Sequence, residues 1–91
     1  MAGKKLVFIE LFVENEEEER TLVNRVLEVA ETLGEYDVKT VIKTIYDDEA
    51  ISRYGILISP SIAINGVLMA IGYMPSKPEL KDMIVRSTLR I

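Results

Sequence analysis

The side chains best able to do chemistry in this chain are carboxylates. Residues 10–19 hold six glutamates: Glu10, Glu14 and the unbroken run Glu16-Glu17-Glu18-Glu19. A second acidic group, Asp47-Asp48-Glu49, lies farther along. Carboxylate oxygens are the natural ligands of hard divalent cations. Glu14, Glu16 and Glu19, or Asp47 and Asp48, could therefore contribute to such a site, although the spacing of an EF-hand loop is absent. Acid–base catalysis by a carboxylate would need a strongly raised pKa at Glu16 or Glu19, or a bound cation. A plainer reading is electrostatic. Exposed acidic residues in the first turn of a helix gain about 0.3–1 kcal/mol each from its dipole. Four side by side give part of that back through repulsion and stay solvated. The third reading is an acidic patch that docks a basic partner. For Asp47-Asp48-Glu49 the expected role is a helix N-cap.

Absent residue types narrow the chemistry further. The 91 residues include no cysteine and no histidine. That removes the disulfide, the thiolate metal ligand and the thiol nucleophile, and with them the usual neutral-pH acid–base group. There is no glycine-rich phosphate loop, no nucleophile elbow and no Ser/His/Asp set. A formal net charge of −4 and a pI near 4.8 disfavour nucleic acid and anionic membrane as partners, since both need a basic surface. The basic residues Lys77, Lys81, Arg86 and Arg90 gather near the C-terminus, opposite in sign to the acidic N-terminal third. With 48% hydrophobic and 29% charged residues the chain can build a core, and its length suits one domain, residues 1–91. Lys4-Lys5 and the apolar Leu6–Ile9 are cut off by Glu10 too early for a secretory signal. Pro60 and Asn65-Gly66 interrupt the other apolar stretch, Ile56–Ile71, so it cannot span a bilayer. A cytoplasmic protein is the expectation.

The elements that must position these groups follow from periodicity. Lys5–Val13 is apolar at nearly every position, which predicts a buried parallel strand covered on both faces. From Glu14 to Gly34 the apolar residues Leu22, Val23, Val26, Leu27, Ala30 and Leu33 recur at helical spacing, with Gly34 as the expected stop. Tyr36–Ile45 alternates with lysine and threonine, the pattern of an edge strand on which lysine discourages further pairing. Asp47–Tyr54 predicts a short helix ended by Gly55. Ile62–Ile64 and Val67–Ile71 flank Asn65-Gly66, a strong hairpin signal. Ser76-Lys77-Pro78-Glu79 predicts a capping box, opening a helix that carries Leu80, Met83 and Ile84. Met69 and Met83 are expected to fill the core. The order is β-α-β-α-β-β-α: an α/β fold with a four-stranded mixed sheet and helices on both faces.

Local motifs sharpen that order. Arg53-Tyr54-Gly55-Ile56, then Ser59-Pro60-Ser61, then Ile62-Ala63-Ile64-Asn65-Gly66-Val67, Gly72 and Pro75-Ser76 together resemble small archaeal and bacterial thioredoxin/glutaredoxin-like proteins of the thioredoxin-like superfamily. The resemblance covers nearly the whole chain. It implies a cis-proline at Pro60 and a Cys-x-x-Cys where the first strand meets the first helix. Those two cysteine positions map onto Glu16 and Glu19, so the redox motif is missing. Disulfide exchange needs a thiolate that attacks sulfur, and a carboxylate has no such couple. The resemblance further implies either that the main chain at Ser59 pairs with an extended peptide or that Pro60 only fixes the entry to the third strand. Tyr73 and Met74 could form an exposed patch beside that groove or simply cover the end of the core. The expected function is therefore a redox-inactive protein- or peptide-binding or assembly module that needs no cofactor. The alternatives are a carboxylate- or metal-dependent enzyme at the former active-site corner, and a self-associating protein. In the last, the edge strands Val38–Ile45 or Val67–Ile71 pair between copies, or an apolar patch is buried between them, as a homodimer. The sequence also resembles one half of a tandem thioredoxin fold that has lost its cysteines.

Overall fold

The computed structural model describes residues 3–88; Arg90 lies outside them. Seven elements follow one another: β1 (Lys5–Val13), α1 (Glu16–Glu31), β2 (Tyr36–Thr44), α2 (Asp48–Tyr54), β3 (Ser61–Ile64), β4 (Val67–Ile71) and α3 (Lys77–Thr88). The strands form one sheet in the order β2-β1-β3-β4. β1 runs parallel to β2, while β1–β3 and β3–β4 are antiparallel. This is a thioredoxin-like α/β fold.

Strand pleat divides the sheet into two unequal layers. Val7, Ile9, Leu11 and Val13 of β1 point one way. With Ile62 and Ile64 they pack against Leu22, Val26 and Val29 of α1 and Leu80, Met83 and Ile84 of α3. Phe12, Ala63 and Leu57 point the other way, where Ala50 of α2 meets them. Tyr54 closes this smaller cluster edge-on to Phe12, with ring centroids 5.7 Å apart. Such an aromatic pair adds about 0.5–1.5 kcal/mol beyond its buried area.

Helix ends follow local side-chain chemistry. Asn15 caps α1, its Oδ1 accepting from the Glu18 N–H at 2.9 Å. Asp47 caps α2 by accepting from the Ala50 N–H at 3.0 Å. Ser76 and Glu79 form the capping box of α3: the Ser76 N–H donates to Glu79 Oε1 and the Glu79 N–H donates to Ser76 Oγ. In the hairpin turn Asn65 and Gly66 both take positive φ, 51° and 81°, as two-residue turns of this kind require.

Three sequence expectations are corrected. α1 ends at Glu31 with Thr32 as its C-cap, two residues before Gly34, because the Thr32 side chain and main chain both satisfy the Val29 carbonyl. Leu27 is not in the core. It is 57% exposed, because the helix face it occupies looks past the sheet edge. Nor is β1 covered on both faces throughout. Leu6 and Phe8 are exposed, since α2 has seven residues and reaches only the Phe12 end of that face. Met83 is buried, whereas Met69 is only half-buried against the larger core.

Candidate functional site

Two groups of polar side chains stand out, one at the start of α1 and one beneath α2. At the first, the chain leaves β1 through Glu14 and enters α1 at the Asn15 cap. Glu18 turns back over this junction, and its Oε1 accepts from the Glu14 N–H at 2.8 Å. From the opposite side comes the segment between α2 and β3, where the Ser59–Pro60 peptide bond is cis. The Ser59 hydroxyl lies 3.2 Å from both Glu14 Oε1 and Glu18 Oε2. With one proton it donates to one carboxylate at a time. The other Glu14 oxygen accepts from the Tyr46 hydroxyl at 3.0 Å. That bond, followed by the nearby negative charge, pushes the Tyr46 phenol above its ordinary range.

Exposed apolar side chains border this corner. Ile56 and Ile58, in the segment leading to Ser59, are 92% and 61% exposed. Gly72, at φ 76°, comes so close that a Cβ there would lie 3.2 Å from the Ile58 side chain. Its N–H donates to the Pro60 carbonyl at 2.9 Å. Ser61 Oγ donates to the Ile58 carbonyl. Among the described residues, no protein group bonds the Ser59 N–H or carbonyl.

The residues singled out from sequence are thus only partly assembled. Ser59 and Pro60 lie at the corner, with Glu14 and Glu18 as their acidic neighbours. Glu16 and Glu19 point elsewhere: with Arg20, Val23, Asn24 and Ile42 they line an open groove of about 380 Å³ between α1 and β2. Tyr73 borders a different groove, with Met69, Glu79, Asp82, Met83 and Arg86, between β4 and α3. Met74 packs against the larger core. Asp47 serves as an N-cap. Among the described residues, no three acidic side chains converge on a common point that could hold a metal ion.

The second group centres on Glu10, whose type and place in an apolar strand were its only sequence signal. Glu10 is 1% exposed. Its Oε1 accepts from the Tyr54 hydroxyl at 2.5 Å, and its Oε2 from Lys43 Nζ at 3.2 Å. Arg53 stands 3.9 Å away, and Lys43 also reaches Glu49 at 3.4 Å. A charge so deeply buried persists only with partners of this kind. The hydrogen bond to Glu10 is the largest influence holding the Lys43 ammonium above its ordinary pKa. Burial, then the bond to Glu10, raises the Tyr54 phenol. Every buried side-chain polar atom among the described residues has a partner.

Strand order, helices on both faces and the strand-to-helix corner facing a cis-proline segment define a thioredoxin-like domain. A family model described as "Thioredoxin domain" matches residues 15–85, and the chain belongs to that family. No curated protein and no solved structure matches the chain. Its 91 residues supply no thiol at the corner where thioredoxin chemistry would take place.

Proposed function

We propose that this protein is a redox-inactive thioredoxin-domain module that binds an extended segment of a partner protein at the Ser59–Pro60 corner. The observation that carries the reading is the main chain of Ser59: its N–H and carbonyl have no protein partner among the described residues, beside the exposed Ile56 and Ile58. An extended peptide can satisfy both groups by β-addition while covering the isoleucines. The carboxylates of Glu14 and Glu18 add a preference for basic residues in that segment, because like charges juxtaposed across an interface are penalised. The competing carboxylate-enzyme reading rests only on the approach of those two carboxylates to one hydroxyl.

Amide NMR titration with short extended peptides, apolar at the centre and flanked by lysine or by glutamate, tests the reading. The expected result is a set of shifts confined to Ile56–Ser61 and Gly72, stronger for the lysine-flanked peptide. Exchanging both Glu14 and Glu18 for lysine should weaken that peptide on the order of tenfold. No shifts with either peptide, or shifts centred away from Ser59, would overturn it.

A further inference from the structure

The outer edge of β2 is the longest unpaired stretch of backbone in the sheet. β2 has nine residues, YDVKTVIKT, in unbroken register with β1. β4, the opposite edge, has five and carries a register shift against β3, a bulge of the type that blunts an edge. The direction of the β2 main chain follows from two bonds at its ends. The Glu35 carbonyl accepts from the Lys5 N–H, and the Ile45 N–H donates to the Val13 carbonyl. Successive residues of a strand point their main-chain groups to alternate sides. Odd-numbered residues therefore face β1, and Val38, Thr40 and Ile42 turn both N–H and carbonyl outward.

Lysines usually protect such an edge, and each of the two on β2 has an acidic neighbour within its own copy. Lys43 is drawn over the sheet by buried Glu10, and Lys39 lies 3.7 Å from Asp37 on its own strand. Apolar side chains flank the free backbone instead: Ile42 is 40% exposed, and Leu27 on the adjacent helix is 57% exposed.

We infer that β2 pairs antiparallel with β2 of a second copy about a two-fold axis at Thr40, joining the four strands of each copy into one sheet. Overlap and charge together select this register: it pairs all nine residues of β2, and the two neighbouring registers oppose like charges. Two-fold pairing at an edge has its axis perpendicular to the sheet, so only residues on the same face lie opposite one another. Centred on Thr40, the pairing sets Asp37 against Lys43 of the partner subunit, Val38 against Ile42 of the partner subunit, and Lys39 against the uncharged Val41 of the partner subunit. Moving the axis to Lys39 brings two lysines face to face. Moving it to Val41 sets Lys39 against Lys43 of the partner subunit. Like charges directly opposite destabilise a strand pair, and opposite charges support it. In the Thr40 register the outward main-chain groups of Val38, Thr40 and Ile42 all find partners. This surface is separate from the Ser59 corner, so either proposal can fail alone.

Sedimentation of the whole chain over a concentration series tests the association. The mass should rise from 10.3 kDa towards twice that value, and Thr40→Pro, which removes an outward N–H, should hold it at the lower figure. The register is tested in a protein that has no cysteine of its own. Opposed residues of a hydrogen-bonded pair have Cα atoms about 5.5 Å apart, within the range of a disulfide. Residue 38 of the two copies would be separated by about 13 Å or more. Under mild oxidation, Thr40→Cys should form covalent dimer at least about tenfold faster than Val38→Cys, whether or not the proline variant folds. A wild-type mass fixed at one chain at every concentration, or equal cross-linking of the two cysteine variants, would overturn the proposal.

Discussion

Replacing Lys43 by methionine leaves the Glu10 carboxylate beneath α2 with its Tyr54 hydrogen bond but without its nearest cation. At 3.2 Å and an effective dielectric near 20, the lost attraction is about 5 kcal/mol before the cost of desolvating both ions is returned. Removing one member of a buried pair costs about 3–5 kcal/mol. Lys43 retains 22% exposure and Arg53 remains 3.9 Å from Glu10, so the expected loss is smaller, about 2–4 kcal/mol. The chain's whole stability is on the order of 5–14 kcal/mol at 0.05–0.15 kcal/mol per residue, which makes this a large fraction. Glu10→Met should cost about 1–3 kcal/mol, since it orphans the Tyr54 hydroxyl while Lys43 keeps Glu49. With both residues changed to methionine, a buried pair gives way to apolar side chains of similar volume, and the expected loss is under about 2 kcal/mol. Urea denaturation followed by far-UV circular dichroism measures all four proteins. The Lys43→Met midpoint should fall by roughly 1–2 M at constant slope. Single losses that add to the double loss within about 0.5 kcal/mol would refute the ionic network, because residues in one such network must couple.

Alkaline pH should weaken the same cluster. Lys43 and Tyr54 both have folded pKa values raised above their ordinary 10.5 and 10.0. Their contribution is therefore complete below those unfolded values and is lost as pH rises through the higher folded ones. The melting temperature should decline above about pH 10, less steeply in Lys43→Met and Tyr54→Phe; identical alkaline slopes in all three proteins would contradict this. In the hairpin, Asn65 Oδ1 accepts from the Phe8 N–H at 2.9 Å and its φ is 51°, so Asn65→Ala loses a bond and strains the backbone. The cost should be about 1–2 kcal/mol, or roughly 5–12 °C in melting temperature. Asn65→Gly, free to adopt that φ, should recover part of the loss, and equal melting points for the two variants would count against the account.

Local rules made most of this architecture readable, and long-range geometry accounts for what was not. The α1 stripe of Leu22 and Val26, the Ser76–Glu79 box and the Asn65-Gly66 turn are decided within a few residues, and all three form as their sequence pattern dictates. Leu27 shares the helical period but stays exposed, and periodicity alone cannot fix how wide the neighbouring sheet is. The acidic corner depends on helical phase. The cap at Asn15 and the back-turned Glu18 carry Glu14 and Glu18 to Ser59, while Glu16 and Glu19 line the groove on the β2 side. Glu10 read as the residue that interrupts an apolar run. Its burial depends on Lys43 and Tyr54, which lie 33 and 44 positions later.

Those distant partners give Glu10 a structural consequence beyond its own burial. α2 has seven residues, well short of a length that is stable on its own, and Ala50 is its one fully covered side chain. Tyr54 and Arg53 at its end both converge on Glu10, as does Lys43 from β2. One carboxylate on the central strand thus ties together the central strand, the edge strand and the short helix. The chain leaves that helix through Gly55 and passes directly into Ile56–Pro60, so the position of Ser59 is set from one side by Glu14 and Glu18 and from the other by the anchored end of α2. Without the anchor, that end of α2 would lose its ties to β1 and β2. The buried ion cluster therefore fixes the end of α2 from which the Ser59 segment departs, although none of its charged atoms bonds Ser59.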